Sequence, residues 1–519
     1  MNTQHQPTDE QQACIQAAAN PQASGLMVSA YAGCAKTTTL CMMAAAAGGA
    51  PGLALAFNKR IAEELKGRLP ANYASKTMNG LGFAAWARRP QMTPTLRVDD
   101  KKLGKLVTQT AADRKIRLAP EDWLWTRQSV ERAQQLGLLP SGFANAAGAS
   151  PLIEDSYSSW LDIASYVGIP QSSTASCIDL AKEVLERDID LALQGQISFD
   201  DQIYCPTVLG GLWPRYPTVM IDESQDLSSI QHEILRRVMR PGGLIVAVGD
   251  PKQAIYAWRG ADSQSMQTIR QLAASWQDLS LTLTFRCPQA IVDRQQAHAP
   301  GFRAAPQAPQ GSIIFLEGYT YDGPPRGWQW SSIDSPQVAV LCRNNAPLLS
   351  LAFKLLRQGI GVQMLGRDIG TNLIALARKL CPSDELSRLD CVTRIQSWRE
   401  SEGASAIAAG HDSKAESITD RADCLLAVLS STECSNAGEM RQLLEQMFAP
   451  SASQVVLSSI HRAKGLEWPY VFHLDPWRIP SRFAHSAEAK QQERNLQYVC
   501  ETRTQSVLAH ASLSEMESP

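Results

Sequence analysis

Lys36 and Thr37 follow the small-residue turn of the segment AYAGCAKTTTL (30–40), and far downstream Asp222 and Glu223 end the apolar run of TVMIDESQD. A tight turn between a strand and a helix aims backbone N–H groups and the positive helix end at a phosphate. In such a turn Ala32, Gly33, Cys34 and Ala35 form the cradle, Lys36 reaches the β- and γ-phosphates of a nucleotide and Thr37 ligates Mg2+. The pattern is incomplete, because Ala30 and Ala35 stand where G-x-x-x-x-G-K-[ST] has glycine. Two acids at a strand end supply the complement: Asp222 to hold Mg2+ and Glu223 to orient or deprotonate an attacking water. The same acids suit a helix cap, since Asp226 and nearby serines favour a helix start, and both roles can hold together. In VGDPKQAIYAWRGAD (248–262), Gln253 is placed to sense the γ-phosphate. Trp258, with Arg259 beside it, offers a face for a nucleic-acid base; the alternative is a core aromatic, which the adjacent Arg259 and Gly260 disfavour.

These groups need strands to carry them. Apolar runs at 25–29, 52–57, 218–221 and 243–248 each precede a loop or a helix-like segment, and in NKRIAEELKGRL the apolar Ile61, Leu65 and Leu69 recur at helical spacing. A second set follows at 337–342, a helix over 346–358 closed by Gly359, then 453–459 and 470–475. Buried strands alternating with amphipathic helices predict α/β architecture with two parallel-sheet lobes. The first lobe takes residues 1–90 and 195–280, with a mainly helical insertion at 90–195. The second takes 281–375 and 450–519, with a smaller insertion at 376–450. Segments 299–311 and 323–327 read as loops.

The chain of 519 residues has room for two to four domains. Its N-terminus is polar and no long apolar run occurs, so neither a signal peptide nor a membrane span is expected, and a cytoplasmic location follows. Twelve cysteines without a C-x-x-C predict reduced thiols and no structural zinc; Cys34 reads as a filler rather than a nucleophile. Net charge is only −2, yet residues 88–117 hold nine Lys or Arg against three Asp. That stretch is either a docking face for a polyanion or a solvated helix face.

An ordered series of segments resembles superfamily 1 helicases of the UvrD/Rep type. PTDEQQACI (7–15) is similar to the glutamine motif, which implies Gln11 on adenine. ALAFNKRIAEEL (54–65) implies Phe57 and Asn58 on single-stranded DNA, and SKTMNGLGF (75–83) implies a DNA contact by Thr77. LTLTFRCPQAI (281–291) implies Phe285 packed on adenine and Arg286 on the γ-phosphate. VVLSSIHRAKGLEWPYVF (455–472) implies His461 on DNA and Glu467 on the ribose; ERNLQYVCETRTQSVL (493–508) implies Arg503 as a second arginine finger. The resemblance implies two RecA-like lobes and ATP with Mg2+ in a cleft between them. It implies 3′ to 5′ travel on single-stranded DNA, action at single-strand/duplex junctions, and a protein partner such as a nuclease or loading factor.

The sequence departs from the family at Ala35, where glycine is usual, and at Thr38, a nucleotide-contacting position at which many relatives carry arginine. The segment corresponding to the accessory subdomain is also short. If Ala35 needs a positive φ, alanine strains the loop without removing its chemistry. Two other readings stay open: a DNA-dependent ATPase that displaces proteins without opening duplex, and a DNA-binding subunit whose loop Ala35 disables.

Overall fold

A computed structural model describes residues 6–89, 95–167, 169, 171–256, 262, 264–315, 338–357, 360–408, 412–430, 434–448 and 455–513. Contacts divide the chain into two compact units: Met1–Ala30 with Ala35–Leu281, and Tyr31–Cys34 with Thr282–Pro519. Trp258, Arg259, Gly359 and the loop at 323–327 lie outside the described residues. Among the described residues no helix is long and apolar enough to cross a membrane.

The first unit is built on a six-stranded parallel sheet in the spatial order Tyr73–Thr77, Gly52–Ala56, Tyr216–Ile221, Met239–Gly249, Gly25–Ala30, Trp276–Leu281. Strand Gly25–Ala30 is wholly apolar or small and pairs on both sides, which is the signature of a central buried strand. The register sets Ser29 beside Gly249, Ile221 beside Ala247 and Leu55 beside Ile221. The carboxyl ends of these strands therefore share one edge, so the segments that follow, beginning at Phe57, Asp222 and Asp250, emerge together.

Residues 95–195 fold mainly into helices Lys102–Asp113, Pro120–Leu136, Tyr157–Val167 and Gln171–Leu193. Gly137, left-handed at φ 71°, ends the second of these. The stretch reads as mainly helical in sequence, with few strand signals, and Arg97–Val98 pairs with Gln196–Ile197 at its edge. In the basic stretch 88–117, Arg88, Arg97, Lys101, Lys115 and Arg117 are exposed, whereas three other cations are paired. Lys102 is buried with its Nζ 2.7 Å from Asp201 and 3.0 Å from Asp188, while Lys105 pairs with Asp99 and Arg114 with Glu183.

The second unit holds another six-stranded parallel sheet, ordered Ser312–Phe315, Thr504–Ala511, Trp468–Leu474, Val338–Cys342, Val455–Ser459, Val362–Met364. Helices Arg367–Leu380, Arg388–Ala408, Asp412–Leu429 and Ala437–Met447 cover the stretch read as a smaller insertion. Their Cys391, Ile395, Leu425, Met440 and Leu444 belong to the same buried cluster as sheet residues Val338, Val340 and Leu457. At the end of strand Val338–Cys342, Arg343 forks onto both oxygens of Glu493 at 2.8 and 2.7 Å and reaches Glu416 at 2.5 Å. That paired fork ties the strand end to helices Asp412–Leu429 and Ala487–Glu501.

Candidate nucleotide and nucleic-acid site

The turn after Gly25–Ala30 enters helix Lys36–Ala46 directly. Gly33 sits at φ 71°, and a Cβ there would lie 2.5 Å from Thr284 Oγ1 and 2.6 Å from Arg286 Cβ, so only glycine fits. The Phe285 N–H donates to the Gly33 carbonyl at 2.9 Å, and the Ala32 N–H donates to the Tyr498 hydroxyl at 2.9 Å. Cys34 is buried, as a filler would be. Ala35 takes the left-handed conformation, φ 57° and ψ 38°, at the helix N-cap. Its Cβ costs about 1–2 kcal/mol there. Ala35→Gly is therefore expected to stabilise the protein by about 1 kcal/mol and to tighten nucleotide binding severalfold, as read by melting and nucleotide titration. A melting temperature and affinity both equal to the parent's would show that no strain is held at this residue.

The acids converge on this helix start. Thr37 Oγ1 donates to Asp222 Oδ2 at 2.8 Å, and Lys36 Nζ lies 3.3 Å from Glu223 Oε1. Glu223 is itself left-handed, φ 55°, and its N–H donates to Asp222 Oδ1 at 3.0 Å. Gln225 braces the pair: its Nε2 donates to Glu223 Oε2 at 2.5 Å, and its Oε1 accepts the Asp250 N–H at 3.0 Å. Gln253 is buried and donates to Asp250 Oδ2 at 2.6 Å. Burial, and then the neighbouring Glu223 carboxylate, push Asp222 up to about 6, with Lys36 and the Thr37 hydroxyl pulling the other way. A hydroxyl and a carboxylate at hydrogen-bond separation form the hard oxygen set that Mg2+ takes, and a cation there would relieve the carboxylate crowding. The donors thus fit the cation that the loop chemistry requires.

The other nucleotide candidates are held more variously. Gln11 is buried, with its Oε1 accepting the Thr8 N–H at 3.0 Å and its Nε2 donating to Thr39 Oγ1 at 3.0 Å. Thr38 accepts from the Arg68 guanidinium at 2.7 Å. Phe285 is 40% exposed. Arg286 pairs with Glu467, whose other oxygen accepts from Gln505 at 3.0 Å. Arg503 is deeply buried: its guanidinium donates to the carbonyls of Val499 at 2.9 Å and Leu466 at 3.3 Å.

Of the nucleic-acid candidates, Phe57 is half exposed and its ring lies nearly parallel to that of Tyr256, 6.0 Å between centroids and 8° between planes. Both line a cavity of about 420 Å3 with Asn79 and Ser228. Asn58 and Thr77 have their side-chain oxygens in helix caps, accepting from Ile61 at 2.9 Å and Gly80 at 3.0 Å. His461 lies on the short helix Ile460–Ala463 that follows strand Val455–Ser459. Sequence reasoning passed over Tyr256, Gln225 and Tyr498. All three stand inside motifs already quoted, and for Tyr256 and Gln225 an aromatic or amide close to strand-end acids was the available signal.

Two parallel α/β sheets, with a phosphate loop and an acid pair at carboxyl strand ends, define a P-loop nucleotide-binding protein with two RecA-like lobes. Known families refine that class. The UvrD/REP helicase N-terminal domain matches residues 174–274, and the UvrD-like helicase C-terminal domain matches residues 406–515. Both matches support a UvrD/Rep-type superfamily 1 helicase. It is similar to the RecBCD enzyme subunit RecB of Mycolicibacterium smegmatis, 33% identical over 40% of this chain and 19% of that protein. Similarity to ATP-dependent DNA helicase UvrD2 of Mycobacterium tuberculosis is 25% over 57% of this chain and 47% of the relative. F-box DNA helicase protein 1 of Schizosaccharomyces pombe aligns at 23% over 96% of this chain and 56% of its own. The chain thus spans from a fifth to just over half of the length of these relatives.

Proposed function

We propose that the protein is an ATP-driven translocase on single-stranded DNA that travels 3′ to 5′ and separates strands at single-strand/duplex junctions. The observation that carries this reading is the cluster of Lys36, Thr37, Asp222 and Glu223 at one helix start, with Thr37 and Asp222 2.8 Å apart. The similarity to relatives named ATP-dependent DNA helicase UvrD2 and F-box DNA helicase protein 1 supports ATP as the fuel and DNA as the track. Likeness to a RecBCD subunit supports a protein partner, such as a nuclease or loading factor.

In this mechanism the phosphate takes Lys36 away from Glu223. Glu223, still held by Gln225, is then free to accept a proton from the attacking water. Bound Mg2+, held by Thr37 and Asp222, would neutralise charge on the phosphate oxygens. Gln253, braced by Asp250, reports on the γ-phosphate. Arg286 and Arg503 stabilise the charge that spreads over the transferring group, Glu467 meets the ribose, and Phe285 and Gln11 meet the adenine. Phe57 and His461, with Trp258, Arg259, Asn58 and Thr77, hold the strand, and stacking on Phe57 beside Tyr256 accepts any base. Hydrolysis coupled to rearrangement of the lobes shifts one grip relative to the other.

The raised Asp222 value gives a pH test. In the cation-free protein its protonated form is favoured by folding, so this contribution to stability is whole below the ordinary carboxylate range and is lost as pH rises through about 6. Protons compete with Mg2+ for the same oxygen. Mg2+-dependent nucleotide binding is expected to weaken as pH falls through about 6, and to do so less at high Mg2+. A Mg2+ affinity flat from pH 5 to 7.5 (roughly the span bracketing this ionisation) would contradict the assignment. Strand polarity is tested by displacement of a labelled oligonucleotide from 3′-tailed and 5′-tailed duplexes: only the 3′ tail should support it.

A further inference from the structure

Away from the nucleotide loop, the second unit buries a polar cluster that the proposed reaction does not use. His473 and His510 are cross-strand neighbours in register on Trp468–Leu474 and Thr504–Ala511, so their rings leave the same sheet face. Glu501, the last residue of helix Ala487–Glu501, comes onto that face. All three residues are at most 3% exposed, and one ligand atom from each lies within 4.8 Å of the others. Among the described residues, both ring nitrogens of His473 and the Nε2 of His510 have no hydrogen-bond partner.

Three buried, unpartnered nitrogens in one spot are unusual, because the loss of water is left uncompensated. Burial keeps the rings neutral, lowering His473 to about 3 and His510 to about 4, and neutral imidazole is the form that coordinates a metal. Glu501 is oriented as a ligating carboxylate would be. Its Oε2 accepts from Arg294 at 2.8 Å and from Gln295, and its Oε1 accepts from Gln497 at 2.9 Å and lies 3.9 Å from His510 Nε2. Phe315 stacks on His510 at 5.0 Å, closing that side with an apolar ring.

We propose that His473, His510 and Glu501 form a buried structural site for a nitrogen-preferring divalent cation of the Zn2+ class, with one further ligand supplied by water. Tetrahedral Zn2+ with bonds of about 2.0–2.1 Å sets its ligand atoms roughly 3.4 Å apart, so atoms up to 4.8 Å apart need close by at most about 1.4 Å. Two imidazoles select against Mg2+ and Ca2+, which take oxygen. The charge that opposes the site is Arg294, whose side chain is 31% exposed and so keeps contact with water while it orients Glu501. The expectation of no structural zinc rested on cysteine spacing alone and does not bear on a His/Glu set.

The test uses the full chain, stripped by a chelator and titrated with Co2+ in the absence of nucleotide and Mg2+. One equivalent is expected, with visible ligand-field absorption that Zn2+ abolishes, and Zn2+ should raise the melting temperature of the stripped protein. His473→Ala, His510→Gln and Glu501→Gln should each lose that absorption, whereas Asp222→Asn should keep it. If a variant does not fold, the parent titration decides. Substoichiometric Co2+ without absorption, an absorption that survives His473→Ala and His510→Gln in folded protein, or one that disappears in Asp222→Asn would overturn the site.

Discussion

Glu223→Gln is expected to lower ATP hydrolysis by about 10²–10⁴-fold while leaving binding of ATP and single-stranded DNA in place. The change keeps size and shape and removes only the proton acceptor. Its structural cost is small, because the ion pair it breaks with Lys36 is 3.3 Å long and partly exposed, and Gln225 remains as a neighbour. Phosphate release and nucleotide titration on the same preparation separate the two effects. A variant hydrolysing within about twofold of the parent would remove Glu223 from the chemistry, since a general base contributes far more than that.

The two arginines separate in a second experiment, because their surroundings differ. Arg286 is paired with Glu467 near the surface, so Arg286→Ala is expected to reduce hydrolysis by about 10³–10⁵-fold, the range for an arginine finger, with little change in melting. Arg503 is 1% exposed and donates to the Val499 and Leu466 carbonyls. Removing it strands those acceptors at about 1–3 kcal/mol each, so Arg503→Ala should lose stability together with activity. Denaturant melts beside hydrolysis rates check both. An Arg503→Ala protein as stable as the parent, or an Arg286→Ala protein as active, would contradict these assignments.

The legible parts of this protein are those whose chemistry is local. Lys36–Thr37 after a small-residue turn, and Asp222–Glu223 after TVMI, could be read as one site because each pair follows the carboxyl end of a strand. Parallel pairing then brings those ends to one edge. The missing glycine at 35 pointed to backbone strain, and Ala35 does stand at φ 57°. What depends on distant partners was not legible. Lys102 reads as one more surface cation until Asp188 and Asp201, about ninety residues away, enclose it. The same holds for Arg503, since burial is set by the Leu466 turn and the preceding helix rather than by its own neighbours in sequence. His473, Glu501 and His510 carry no motif spacing, and only strand register unites them. Helices in 376–450 read as an insertion from a polar, Ser- and Ala-rich composition, which does not show that their apolar residues share a buried cluster with the sheet.

The most direct measurement is the steady-state rate of ATP hydrolysis by the purified chain, with and without single-stranded DNA, with Mg2+ present in both. A motor that couples the phosphate loop to a DNA grip at Phe57 should hydrolyse slowly alone and severalfold faster with the strand, and lose that stimulation in Phe57→Ala. A rate that does not respond to single-stranded DNA, in a preparation that binds both ATP and DNA, would contradict the coupling.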